Sequence, residues 1–315
     1  MRVVFMGTPQ FAVPSLESVL ATGCDVAFVV TQPDRPKGRK GTPQPPPVKL
    51  VARSHGIEVY QPESVNCDES VEKLTGAAPD VAVIAAFGQI LRRRVIEAAK
   101  VACINVHASL LPKYRGAAPV PAAILNGDCI TGVTIQKVVR KLDAGDIIRQ
   151  DSLKIGPDET AGELAERLAR LGAESLAEAL ADLKTGRATF LPQDDSKATF
   201  APMLQKSDGL IDWRWTAGQI ARHVRAMTPW PGAFTFLARP GKPLRIVLMR
   251  AACVPTESTA EPGVVIATGA DGFAVKALDG AVLISQLQPA GRKLMTAQEF
   301  SRGYRLEIGE RFASS

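Results

Sequence analysis

A 315-residue chain with 46% hydrophobic and 22% charged residues is too apolar to stay disordered, and its composition excludes collagen-like and disulfide-framework classes. No apolar run approaches the ~18 residues of a membrane span, and MRVVFMGTPQF lacks the long apolar region and small-residue cleavage site of a signal peptide. Five cysteines without a CxxC pair, and three scattered histidines, suggest reduced thiols in a cytoplasmic protein with no metal.

The length suggests about two domains. RVVFM (2–6) reads as a strand, GTPQ as a turn, residues 11–21 as a helix and DVAFVV (25–30) as a second strand. GTPQ does not match a phosphate-binding loop. Residues 31–47, TQPDRPKGRKGTPQPPP, contain six prolines and two glycines, so neither a helix nor a central strand fits. A loop of this length is functional or merely mobile, and its basic run favours function. A helical pattern resumes near 47–55, followed by a strand at 57–60. VAVIAAF (81–87) and ACINVH (102–107) are continuously apolar, as in strands covered on both faces. Strand–helix alternation predicts an α/β fold with a doubly wound, mostly parallel sheet. A long helix over roughly 159–184 would stop at Gly186.

Residues 189–206 form a polar, proline-bearing segment that reads as a linker between domains at 1–188 and 207–315. A helix near 215–227 and several short strands follow, with Asp-Gly turns at 271–272 and 279–280, so the second domain is expected to be a small β-barrel. Residues 201–315 carry 14 Lys and Arg against 9 Asp and Glu, five of the six net positive charges. Together with the run at 33–40, this suggests a polyanionic partner, the alternative being solvated basic faces.

The chemistry concentrates in 105–146. Asn105 and His107 are two apart at the end of an apolar strand, so both project to one side, where open α/β sheets bind ligands. An amide N–H and an imidazole can then serve one substrate atom, although a histidine alone is more often structural. Asp143 and Asp146 flank an Ala-Gly turn. Either could orient His107 or accept its proton, or simply bond its own backbone.

Asn105-x-His107-x-Ser109-Leu110-Leu111-Pro112-Lys113-Tyr114-Arg115-Gly116, followed by Leu142-Asp143-Ala144-Gly145-Asp146, resembles the folate-dependent formyltransferase superfamily. VFMGTPQFAVPSL, TQPDRPKGRK, AFGQIL (86–91), MTPWPGAF (227–234) and LQPAGRKLMTAQEF (287–300) extend the resemblance over nearly the whole chain, toward its tRNA-acting branch. Arg92 departs from the pattern, since many relatives carry proline there, and the loop's Pro-Pro-Pro is longer than usual.

The resemblance implies transfer of the formyl group of 10-formyltetrahydrofolate to the α-amino group of methionine on initiator tRNA. Another 10-formyltetrahydrofolate-dependent formyltransferase or hydrolase, with no need of the basic loop, is the alternative. The resemblance assigns catalysis to Asn105, His107 and Asp143. It assigns the folate to Phe87, Gly88, Gln89, Ile90 and Leu91 and to Ser109, Leu110, Leu111 and Pro112. Arg35, Lys37, Arg39 and Lys40 of the loop, with Lys206 and Arg245 of an OB-like barrel, are expected to contact the RNA. A metal-free monomer is expected.

Overall fold

The computed structural model describes residues 1–36, 41–239 and 241–313, so Lys37, Arg39 and Lys40 lie outside the described residues. The chain forms two compact units. One comprises Met1–Pro119, Ile130–Lys154 and Ala165–Ala201; the other comprises Val120–Cys129, Ile155–Leu164 and Pro202–Ser315.

The first unit contains, in chain order, β1 (Arg2–Gly7), α1 (Val13–Ala21), β2 (Asp25–Val30), β3 (Arg35–Pro36), β4 (Pro43–Gln44), α2 (Pro47–Ser54), β5 (Val59–Tyr60), α3 (Asp68–Ala77), β6 (Val81–Ala85), α4 (Arg93–Ile96) and β7 (Ala102–His107). After α5 (Pro119–Leu125), the chain returns through β8 (Ile130–Lys137) and β9 (Ile147–Lys154) and enters α6 (Ala161–Thr185). The sheet order is β5-β2-β1-β6-β7-β8-β9, parallel as far as β7 and antiparallel through β8 and β9.

The continuously apolar strands are covered on both faces, as their sequences require. Val3, Phe5, Val81, Val83, Ile104 and Val106 pack with Leu16, Ala52, Leu176 and Leu180 on one face. Their alternates Val4, Met6, Ala82, Ile84 and Cys103 pack with Val71, Leu74 and Val95 on the other. Each fully buried side chain of this size contributes roughly 1.5–3 kcal/mol. The period of two then dictates that Asn105 and His107 continue the Cys103 face of β7.

The proline-rich segment narrows into a two-residue ribbon, Arg35 opposite Gln44 and Pro36 opposite Pro43. Asp34 anchors its base: it accepts from the buried Lys49 ammonium at 2.8 Å and from Gln61 Nε2 at 2.8 Å. Those bonds hold its carboxyl below the usual carboxylate range. The departure at Arg92 also has a structural reason. Its N–H, which proline lacks, donates to Asn66 Oδ1 at 2.8 Å.

The segment expected as a linker is not free of the first unit. Leu191 bridges to Ile147, and Phe200 to Arg115.

In the second unit α7 (Ala217–Ala226) precedes β10 (Ala233–Leu237), β11 (Leu244–Val254), β12 (Val265–Thr268), β13 (Phe273–Lys276), β14 (Ala281–Pro289), β15 (Met295–Thr296), α8 (Ala297–Tyr304) and β16 (Phe312–Ala313). The strands run β12-β13-β14-β11-β10-β16, and β15 pairs with β14. The ring closes where Phe312 N–H donates to Gly263 O at 2.7 Å and Val265 N–H donates to Glu310 O at 2.8 Å. The expected barrel is thus present, with both Asp-Gly pairs at hairpin turns. Phe273 stacks on Phe312 with centroids 5.7 Å apart inside it.

His223 on α7 is buried beside the Trp215 ring. Among the described residues its Nε2 has no hydrogen-bond partner, while the ring donates to the Gly209 carbonyl and faces Asp208. Burial pushes its pKa below the ordinary value. The folded state therefore binds fewer protons than the unfolded chain once the pH drops below the free-histidine pKa of about 6.5. Stability is full above that pH and falls as the pH goes lower. The unfolding midpoint should decline from pH 6.5 to 5, and less steeply in His223→Asn, whose amide can still donate to Gly209. Equal slopes in both proteins would contradict this.

Candidate active site

Three elements of the first unit meet at the carboxyl end of β7. The imidazole of His107, 5% exposed, sits with Nε2 3.0 Å from the Tyr114 carbonyl oxygen. A carbonyl can only accept, so Nε2 carries the hydrogen and donates. That leaves Nδ1 as the atom free to exchange a proton, and it lies 3.7 Å from Asp143 Oδ2. The Asn105 carboxamide is half-buried on the same face, and among the described residues it has no side-chain hydrogen-bond partner.

Asp143 adopts a left-handed backbone, φ 45°, in the turn after β8. Aspartate adopts that conformation more readily than most residues because its short carboxylate bonds locally, and surrounding bonds hold it. Oδ2 accepts from the Gly116 N–H at 2.8 Å, and Oδ1 accepts from Gln136 Nε2 at 2.8 Å. The carboxylate is thereby fixed facing His107, its side chain only 14% exposed. Asp146 has a different place: its carbonyl accepts from Lys137 N–H where the turn rejoins the sheet. Gly145 permits the close return, since a Cβ there would lie 1.7 Å from the Lys137 carbonyl oxygen.

Several groups in this arrangement had no role assigned from sequence. Gln136, 2% exposed, is the cross-strand partner of Asn105, so β-register brings it to the Asn105–His107 face. The alternation of ITGVTIQK was the available signal. Tyr114 and Gly116 act through backbone atoms, at φ 61° and 121°, to which their side chains give no clue. Arg115 is buried to 1% exposure and donates from Nε and one terminal nitrogen to Gln193 Oε1 at 3.1 and 2.7 Å. Its other terminal nitrogen pairs with Asp195 at 2.8 Å. Gln193 Nε2 donates to the Asp143 carbonyl at 2.8 Å and the Gly145 carbonyl at 2.7 Å.

A cavity of about 500 Å³ opens on the Cys103 face of the sheet. It lies at the amino end of β7, where Ile96, Val101, Val138 and Val139 give it apolar walls; Lys137 and Arg140 supply cations, and Arg93 is paired with Glu97 at 2.7 Å. Burial pushes the Cys103 thiol up to about 12, which leaves it inert.

Of the residues expected at the folate, none of 87–91 or 109–112 lines this cavity. Phe87 is buried, and its carbonyl accepts from Thr8 Oγ1 at 2.9 Å. Gly88 has φ 89°, Gln89 Oε1 accepts from Val65 N–H, Ile90 is 86% exposed and Leu91 packs on the core. Ser109 donates to the Lys113 carbonyl at 2.6 Å, and Thr134 Oγ1 accepts from Leu111 N–H. Leu110 is half-buried beside Gly132, and Pro112 follows a cis peptide bond.

Of the basic candidates, Arg35 is exposed and pairs loosely with Glu63 at 3.4 Å. In the second unit Lys206 is exposed, and the Arg245 guanidinium lies 4.1 Å from the Phe234 ring centroid.

A mostly parallel sheet whose third-from-edge strand ends in Asn-x-His, facing a carboxylate-bearing turn, fits the formyltransferase class that the sequence motifs resemble. The comparisons agree with that class. A family model described as "Formyl transferase" matches residues 1–180, and one described as "Formyl transferase, C-terminal domain" matches 203–305. The methionyl-tRNA formyltransferase of Geobacter sulfurreducens is 45% identical over 100% of this chain and 98% of its own. That of Geotalea uraniireducens is 48% identical over 98% and 97%. Among solved structures, an N-formyltransferase from Helicobacter canadensis, in complex with folinic acid and dTDP-3-aminofucose, aligns at TM-score 0.68. It shares 19% identity over 91% of this chain and 99% of that one, a likeness of fold alone. The chain belongs to the methionyl-tRNA formyltransferase family.

Proposed function

We propose that this protein, working as a monomer in the cytoplasm, transfers the formyl group of 10-formyltetrahydrofolate to the α-amino group of methionine on initiator tRNA. The observation that carries the reading is that His107 and Asp143, far apart in sequence, face each other at 3.7 Å, with Asn105 on the same face of β7. Full-length similarity to methionyl-tRNA formyltransferases supports it.

In this reading the formyl donor is held by residues 87–91 and 109–112, which follow β6 and β7 at the carboxyl ends of these parallel strands, where open α/β sheets bind ligands. The methionyl amine, unprotonated because esterification lowers its basicity, attacks the formyl carbon. Negative charge develops on the formyl oxygen, and the unengaged Asn105 carboxamide donates to it. The amine must then lose a proton. Nδ1 of His107 and the Asp143 carboxylate form the acceptor pair, because Nε2 is already committed to Tyr114. The proton passes to the leaving nitrogen as the old carbon–nitrogen bond breaks. Formylmethionyl-tRNA and tetrahydrofolate leave together with a regenerated site. All charge movement is confined to these groups, and no acyl-enzyme is required.

The test is incubation with 10-formyltetrahydrofolate and charged initiator tRNA, with the aminoacyl product analysed by mass. A gain of one formyl group on methionine is expected. Hydrolysis of the donor without charged tRNA, or formylation of an amino sugar in its place, would overturn the reading.

The basic loop, residues 31–47, together with Lys206 and Arg245, is assigned to the RNA. Phosphate contacts release counterions, so affinity falls with salt. Joint replacement of Lys37, Arg39 and Lys40 by alanine should raise KM for charged tRNA about tenfold or more, consistent with three lost phosphate contacts. It should also flatten the salt dependence and leave KM for the formyl donor unchanged. A selective rise in donor KM would contradict the assignment.

A further inference from the structure

We propose that Gln193 is a positioning residue for this reaction: it holds the Asp143 turn in register with His107. The proposal rests on the function given above and concerns a residue in the segment between the two family matches, 1–180 and 203–305.

The orientation of the Gln193 amide is fixed by chemistry. Arg115 is a pure donor and gives two N–H groups to Gln193 Oε1. The amide nitrogen must therefore face the other way, where it meets the carbonyls of Asp143 and Gly145 at 2.8 and 2.7 Å, with Gln136 Oε1 at 3.4 Å. Gln136 in turn donates to the Asp143 carboxylate. One side chain thus grips both the backbone of the turn and the group that aims its carboxylate. Both amide hydrogens point at these acceptors, which leaves Gln193 no part in the chemistry itself.

The other end of the link is equally fixed. Arg115 N–H donates to the Thr199 carbonyl at 2.8 Å, and its own carbonyl accepts from Ala201 N–H at 2.8 Å. The residue before it, Tyr114, supplies the carbonyl that holds His107 Nε2. Arg115 and its neighbour therefore connect to both partners, to His107 through Tyr114 and to Asp143 through Gln193. The 3.7 Å separation of Nδ1 and Oδ2 is set by this span. The bonds from Gly116, Gln136 and Gln193 hold the aspartate in its left-handed conformation.

The test compares wild type, Gln193→Glu and Gln193→Leu, each also in an Asp143→Ala background, by single-turnover formyl transfer and thermal unfolding. Glutamate keeps the acceptor for Arg115 but turns an oxygen toward two carbonyls; leucine removes both functions. The chemical rate should fall tenfold or more in each, while KM for both substrates stays within twofold. In the Asp143→Ala background the same changes should cost no further rate. If leucine prevents folding, the glutamate variant decides alone. Unchanged rates in a folded variant would overturn the proposal, as would an equal loss persisting without the Asp143 carboxylate. An inactive wild type would overturn the functional reading beneath it, which distinguishes the two failures.

Discussion

Replacing Asn105, His107 or Asp143 with alanine should lower formyl transfer by at least about 10²-fold each, with affinity for charged tRNA retained within about twofold. The three losses have different causes. Under the proposed mechanism, Asn105→Ala removes the donor assigned to the oxygen on which charge develops. In a site shielded from water such a donor is worth about 10²–10³ in rate. His107→Ala removes Nδ1, the unengaged basic nitrogen, and leaves the Tyr114 carbonyl without its donor. Asp143→Ala removes the anion 3.7 Å from Nδ1 and orphans the donors on Gly116 and Gln136. An imidazolium formed during the reaction then has no counter-charge in a buried setting, where that attraction is strongest. Kinetics of the three variants under saturating substrate, with tRNA binding measured separately, check this. Variants within tenfold of wild type would show that the cluster is structural.

Gly145→Ala should have the second largest effect, and through sterics alone. Its added Cβ would fall 1.7 Å from the Lys137 carbonyl oxygen and 2.8 Å from its carbon, and backbone cannot yield as a flexible side chain does. Overpacking typically costs about 1–3 kcal/mol, occasionally more, and a backbone clash this close belongs at the upper end. The turn must open to relieve it, which releases the carbonyls gripped by Gln193 and swings Asp143 from His107. Unfolding and turnover should therefore both suffer, activity by about 10²-fold at a temperature where the protein is still folded. Near-normal stability with normal turnover would mean that the turn is looser than this geometry requires.

Much of the first unit was legible because its strands carry continuous apolar runs. RVVFM, DVAFVV, VAVIA and ACINVH are all strands, and Gly186 ends the long helix with φ 71°. Residues 86–87, read as a strand continuation, instead form a loop beginning at Ala86, φ 44°. Helices α3, α4, α5 and α8 were not recognised. α5 (PVPAAIL) carries prolines in its first turn that resemble loop signals, and α3 (DESVEKLTGA) is polar over most of its length. α8 is anchored by a capping box, Thr296 with Glu299, rather than by a long apolar stripe.

The site divided along the same line. Residues that act through side chains at a strand end could be named from their spacing. Backbone donors and acceptors at Tyr114 and Gly116 could not, because any residue supplies an N–H and a carbonyl. Gln193 was hidden for another reason. A polar, proline-bearing segment has the composition of a connector, and only its bonds to a turn fifty positions earlier give it a role.

The direct test of the central claim, that His107 and Asp143 exchange the same proton, is the single-turnover rate of the His107→Ala/Asp143→Ala double variant beside each single one. Groups acting as one unit give a double variant no slower than the slower single variant. A rate reduced by the product of the two individual losses would mean that they act independently and would contradict the mechanism derived from their geometry.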